Sequence, residues 1–186
     1  MLDEIYEDVT RHMEKSLDAL RHGLGSIRTG RASTAILDGI RIDYYGSATP
    51  LIQLASISVP EPRLLVVKPY EKQLIVAIEK AIRSEPSLGL NPSNDGTIIR
   101  LPIPELTEER RIELTKVARH RGEEAKVAVR HARREGLDLV DEAKKEGAIS
   151  EDDAHHGHDH IEKLTHEYVA RVDEILAHKE EEIMEV

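Results

Sequence analysis

The chain contains no cysteine, phenylalanine or tryptophan, and five tyrosines are its whole Phe/Trp/Tyr complement in 186 residues. Without cysteine there is no disulfide framework and no thiol nucleophile, and the composition is compatible with a reducing compartment. With so few aromatics, any core must be aliphatic. Long apolar runs are also missing: no window approaches 18 apolar residues, about the length a spanning helix needs. Met1 to Tyr6 alternates acidic and apolar residues where a signal peptide would show a basic start and an apolar stretch. The sequence therefore reads as soluble, unprocessed and cytoplasmic, with no membrane partner. No glycine-rich phosphate loop and no nucleophile elbow occurs, and acidic pairs fall on helix faces where solvation accounts for them. The chain does not read as an enzyme, and no cofactor is implied.

Charge is plentiful but unevenly placed. Twenty-six basic residues against 36 acidic ones give a net charge of −10, of which residues 150–186 hold −9. Thr107 to Glu135 runs the other way, with nine basic and six acidic residues. Within it Arg119, Lys126, Arg130 and Arg133 fall inside a helical sector of about 60°. Leu114, Val117, Ala125, Ala128 and Ala132 cluster on a face roughly 130° away, so one side can enter a core while the other presents cations to a polyanion. A solvated face carrying i,i+4 ion pairs is the competing reading.

The period of the apolar pattern gives the architecture. Ile5, Val9, Met13, Leu17, Leu20, Leu24 and Ile27 predict one helix from about Asp3 to Ile27, broken by Gly30. Strand-like segments follow: Ile40 to Tyr44, Ile57 and Val59 with a stop at Pro60, and Leu64 to Val67 ended by Pro69. Glu71 to Arg83 returns to helical spacing, Leu88 to Gly96 is turn-rich, and Thr97 to Leu101 reads as a last strand. Pro102 and Pro104 punctuate the exit. Thr107 is the expected N-cap of a second long helix running to about Glu146, and Ser150 with Glu151, Asp152 and Asp153 behind it reads as the capping box of a third. The third carries a seam of Ile161, Leu164, Tyr168, Val172, Ile175 and Ile183. Three amphipathic helices, none able to bury its stripe alone, predict an α+β protein: a three-helix bundle from residues 1–30 and 105–186, interrupted by a small α/β domain over 31–104. The crossings near Gly30 and near Pro102 and Pro104 are the expected hinges.

Several runs also carry a family resemblance. They are Ile27-Arg28-Thr29-Gly30-Arg31-Ala32-Ser33, Asp43-Tyr44-Tyr45-Gly46 with Thr49-Pro50 and Gln53-Leu54-Ala55-Ser56, Leu88-Gly89-Leu90-Asn91-Pro92, Leu106-Thr107-Glu108-Glu109-Arg110-Arg111, and Val127-Ala128-Val129-Arg130-His131-Ala132-Arg133-Arg134. In this order and spacing, over essentially the whole chain, they resemble bacterial ribosome recycling factors. The resemblance implies an L-shaped, monomeric protein whose small β/α/β domain hangs from the bundle. It implies a role after termination, splitting ribosomes into subunits with elongation factor G and GTP and hydrolysing nothing itself. It also implies that the bundle docks on large-subunit ribosomal RNA. The expected contacts are Arg130, Arg133 and Arg134, with Arg119 and Lys126 on the same face and Arg28 and Arg31 in the hinge motif. Arg28 could instead cap helix-end carbonyls or pair with an acid. Of Tyr44 and Tyr45, one is expected in the core and the other exposed.

His155, His156, His158 and His160 depart from what the family resemblance leads one to expect. His156 and His160 stand at i,i+4, a spacing at which two imidazoles can share a divalent metal, but no third ligand is fixed and no glutamate follows in a zincin arrangement. The cluster reads as a weak metal candidate, as an acidity sensor for RNA docking, or as a polar helix turn made less regular by Gly157. Two other function classes stay open: a silencing factor that holds ribosomes without splitting them, and a metal-dependent hydrolase built on the histidines.

Overall fold

The computed structural model describes residues 1–86 and 88–185. The chain divides into two compact units, one of Met1–Leu24 and Glu113–Glu181, the other of Gly25–Ile112 with Glu182–Val186. These limits fall inside the long helices, whereas the sequence punctuation points to residues 30 and 104.

The first unit is built from three helices, α1 (Leu2–Gly25), α4 (Glu108–Lys145) and α5 (Glu151–Met184). On α1 the predicted seam from Ile5 to Leu24 is buried as expected. Ile27 is also buried, but the helix ends at Gly25, and Gly30 lies outside the left-handed region, so it is not the glycine stop that sequence position implied. On α4 the buried seam is Leu114, Ala118, Gly122, Ala125, Val129, Ala132, Gly136, Val140 and Ala143. Val117 and Ala128, assigned to the core face from spacing, are exposed. The true seam is offset and made of small residues, which lets the neighbouring helices approach closely. A Cβ on Gly136 would stand 2.4 Å from Val9 Cγ2. Gly157 is buried for the same reason, with Val140 and Leu2 over it, and does not disturb the helix.

Both helix starts follow their caps. Thr107 Oγ1 accepts from the Arg110 amide at 3.1 Å. Ser150 Oγ accepts from the Asp153 amide at 3.0 Å while Asp153 Oδ2 accepts from the Ser150 amide at 3.4 Å, a reciprocal box with Asp in the usual Glu position. Between them Gly147, at φ 76°, closes α4, and the Ala148 amide reaches back to the Ala143 carbonyl.

In the second unit an aliphatic core of sixteen buried residues, Ile36 to Ile103, has no aromatic member. Strands β1 (Arg41–Tyr44) and β2 (Ser47–Pro50) form a hairpin, and a short helix α2 (Leu51–Leu54) leads into β3 (Ala55–Glu61). With β4 (Leu64–Pro69), β5 (Ser93–Asn94) and β6 (Ile99–Pro102), β3 makes an antiparallel sheet of order β3-β4-β6-β5. Helix α3 (Ile75–Arg83), preceded by a 3-10 turn at Lys72–Leu74, buries Ile75, Ile78 and Ile82. Pro60 does not stop its strand: β3 is an edge strand, where a missing amide costs no ladder bond, and the register shifts between Ser58 and Glu61. The segment read as turn-rich contains β5.

Candidate nucleic-acid interface

The basic face of α4 lies along α5, and the two helices run antiparallel. Arg119 Nε is 2.7 Å from Glu180 Oε1, and Lys126 Nζ is 2.7 Å from Asp173 Oδ1. These pairs repeat every seven residues on both helices. The next rung would put Arg133 opposite His166; Arg133 turns instead to Glu162, its Nε 2.8 Å from Oε1 but not aligned for a hydrogen bond. Beyond it, and one residue out of the seven-residue step, His158 Nε2 meets Asp141 Oδ1 at 2.7 Å. The stripe expected to point wholly outward is thus largely a seam of cross-helix ion pairs.

Exposure divides the set. The Lys126 side chain is only 18% exposed, and its pKa is raised chiefly by the hydrogen bond to Asp173. Arg119 and Arg133 keep 65% and 40% of their surface in solvent, where an ion pair contributes about 0–1 kcal/mol and can be exchanged for another anion. Arg130 and Arg134 are exposed and, among the described residues, have no carboxylate within ion-pair distance. They flank an open groove of about 570 Å³ with Val127 and Leu137 on its walls and His131, Asp138, Asp141 and His158 around it. Sequence spacing does not show this groove, because its apolar walls come from residues assigned to no face.

The hinge-motif arginines have other attachments in the second unit. Arg28 is half-buried, its Nη1 donating to the Leu88 carbonyl at 3.3 Å; burial, with Arg110 nearby, lowers its pKa. Arg31 is paired with Glu185 and lines a pocket of about 270 Å³ with Gly30, Arg63 and Arg111. The pair of tyrosines resolves cleanly: Tyr44 packs against the core and donates its hydroxyl to Glu71, and Tyr45 is 81% exposed.

The four clustered histidines go to four different partners. His155 lies 3.6 Å from Asp159, His156 3.4 Å from Asp152, His158 is on Asp141, and His160 stacks on Tyr6 with ring centroids 3.9 Å apart. Among the described residues no group of three or more such side chains is placed to hold a metal ion. No helix among them is long and apolar enough to cross a membrane.

These features define a class, an α+β protein with one three-helix unit that carries an exposed guanidinium edge and one antiparallel-sheet unit. Residues 20–184 match the family model described as ribosome recycling factor. The chain is 52% identical over 182 residues, 98% of each chain, to the ribosome-recycling factor of Natranaerobius thermophilus. It is 51% identical over the full length of both to that of Chloroflexus aurantiacus. A solution structure of a ribosome recycling factor superposes with a TM-score of 0.78 at 38% identity, covering 100% of this chain and 98% of that one. A second structure, described as models for the T. thermophilus ribosome recycling factor and the E. coli elongation factor G bound to the E. coli post-termination complex, matches at 0.70 and 44%, covering 99% of each chain. The chain belongs to the ribosome recycling factor family, and is a translation factor.

Proposed function

We propose that this protein, with elongation factor G and GTP, separates post-termination ribosomes into subunits. It acts in the cytoplasm, without an active site of its own. The observation that carries the RNA side of this reading is the pair Arg130 and Arg134, exposed on one edge of α4 and without ion-pair partners among the described residues. Guanidinium groups are planar and permanently charged and donate two parallel hydrogen bonds, which suits phosphate. Arg133, Arg119 and Lys126 join them only by giving up a carboxylate for a phosphate, so each adds less than a free arginine does, and the enclosed Lys126 adds least. Arg28 and Arg31 are secondary contacts, since each already holds a protein acceptor. Contacts of this kind fix register on folded ribosomal RNA of the large subunit and do not read sequence.

Work is then done by differential binding. The three-helix unit holds the RNA, and a translocase-driven movement of residues 31–104, taken up in the segments of Gly30, Pro102 and Pro104, makes the joined subunits the less stable state. Light scattering of post-termination ribosomes tests this. A fall in scattering that requires elongation factor G, GTP and this protein together, and that is abolished in Arg130→Ala/Arg134→Ala, is the expected result. Tight binding without splitting would instead make the protein a silencing factor.

A further inference from the structure

The second unit gathers three of the chain's five tyrosines about one cleft, while none of its sixteen described buried core residues is aromatic. The cleft, about 400 Å³ and open, is lined by Tyr44, Ser47, Thr49, Gln53, Tyr70 and Glu71, among others. Tyr70 is 69% exposed. Tyr45 stands at the rim, its ring edge-on to Tyr44 with centroids 4.6 Å apart and its hydroxyl accepting from Gln73 Nε2 at 3.4 Å.

Two features of this cleft are unexplained by folding. The first is Glu71. Tyr44 donates to its Oε1 at 2.7 Å and Gln73 to its Oε2 at 3.0 Å, so both oxygens are held by neutral donors. No cation pairs with this half-buried carboxylate among the described residues. The second is Tyr45. Together with Gly46 it forms the two-residue loop between β1 and β2, with φ of 51° and 84°, the pattern of a type I′ turn. That turn prefers Asn or Asp at its first position, and a bulky side chain there is a conformational outlier. Tyrosine in this place gives up backbone comfort and leaves its ring in water.

A carboxylate held without a cation in a cleft lined by the exposed Tyr70, with the exposed Tyr45 packed edge-on against its other tyrosine, has the chemistry of a cation receptor. We propose that this cleft receives an arginine side chain from a basic segment of a protein partner. The guanidinium lies against Tyr45 and pairs with Glu71. Arginine fits better than lysine because its planar fork can stack on a ring and engage a carboxylate in the same pose. The serine, threonine and glutamine along the wall offer hydrogen bonds to the segment's backbone.

The test is an NMR titration of the full-length ¹⁵N-labelled chain with acetyl-Gly-Arg-Gly-amide. Saturable shifts confined to residues 43–54 and 70–74 are expected, with acetyl-Gly-Gly-Gly-amide giving none there. Tyr45→Asn keeps the turn, and Glu71→Gln keeps an acceptor for Tyr44, so both variants should fold. Each should weaken the peptide by about fivefold or more. Equal affinity in both variants, or no shifts at these residues, overturns the proposal. So does stronger binding of spermidine or of an oligouridine at the same resonances, which would make the cleft a general cation site or a base-stacking platform.

Discussion

Adding a single methyl group at Gly136 should loosen the three-helix unit, and the cost can be worked from its surroundings. The new Cβ would sit 2.4 Å from Val9 Cγ2 and 3.2 Å from Ile161 Cδ1. Carbon atoms prefer about 3.5–4.0 Å, so α1 must retreat by roughly 1 Å. Val9 and Ile161 are buried and β-branched, with little rotamer freedom to absorb the overlap. Overpacking of this sort costs about 2–3 kcal/mol, and the better helix propensity of alanine returns about 1 kcal/mol. A net loss of about 1–2 kcal/mol is expected in urea unfolding followed by circular dichroism. Gly122→Ala is the control. Its Cβ would be 2.9 Å from Leu176 Cδ2, but that is the end of a half-buried, flexible side chain, so propensity should offset the crowding. A Gly136→Ala variant as stable as the parent, or less damaged than Gly122→Ala, would refute the close-packing account of the α4 seam.

Other expectations follow from single sites. The Asp95 carboxyl accepts from the Ile98 and Thr97 amides, which with Arg100 bring its pKa down to about 2. Its stabilising contribution is present above the ordinary carboxylate range and disappears as pH falls through about 2, so the stability gap to Asp95→Asn should be widest above about pH 4 and close on acidification. Tyr45→Asn should change stability by less than about 0.5 kcal/mol in the same urea unfolding, since relief of the left-handed tyrosine, about 1 kcal/mol, balances removal of its edge-on packing with Tyr44, about 0.5–1.5 kcal/mol. Calorimetric titration with Zn²⁺ should show no tight stoichiometric site, because His156 and His160 already face Asp152 and Tyr6. A tight one-to-one site would return attention to the histidines.

The long helices were legible because each buries a seam at threes and fours and begins at a cap whose side chain can be read directly. Thr107, Ser150 and Asp153 all do what their positions predict. Where the seam is poor in large residues the reading slipped. On α4 six of the nine core-face residues are alanine or glycine, so spacing favours Val117 and Ala128 over the true members Ala118 and Val129. The β2 and α2 segments, 47–54, gave no period because a strand and a one-turn helix of four residues each are too short to show one. Pro60 misled because proline is a stop only inside a sheet, and sequence does not say which strand lies at the edge. The basic stripe was visible as a stripe, but its division into tied and free cations depends on the register of α5. Glu180 and Asp173 come opposite Arg119 and Lys126 only once the helices are antiparallel.

Ribosome binding across a salt series separates the free cations of α4 from the tied ones. Arg130→Ala/Arg134→Ala should reduce the magnitude of the slope of log affinity against log salt by roughly 1.4–1.8, or about 0.7–0.9 for each phosphate no longer neutralised. Arg119→Ala, which removes a cation already paired with Glu180, should change it by less than half as much. An unchanged slope in the double variant, or a larger change in Arg119→Ala, would contradict the assignment of the free arginines as the RNA-facing edge.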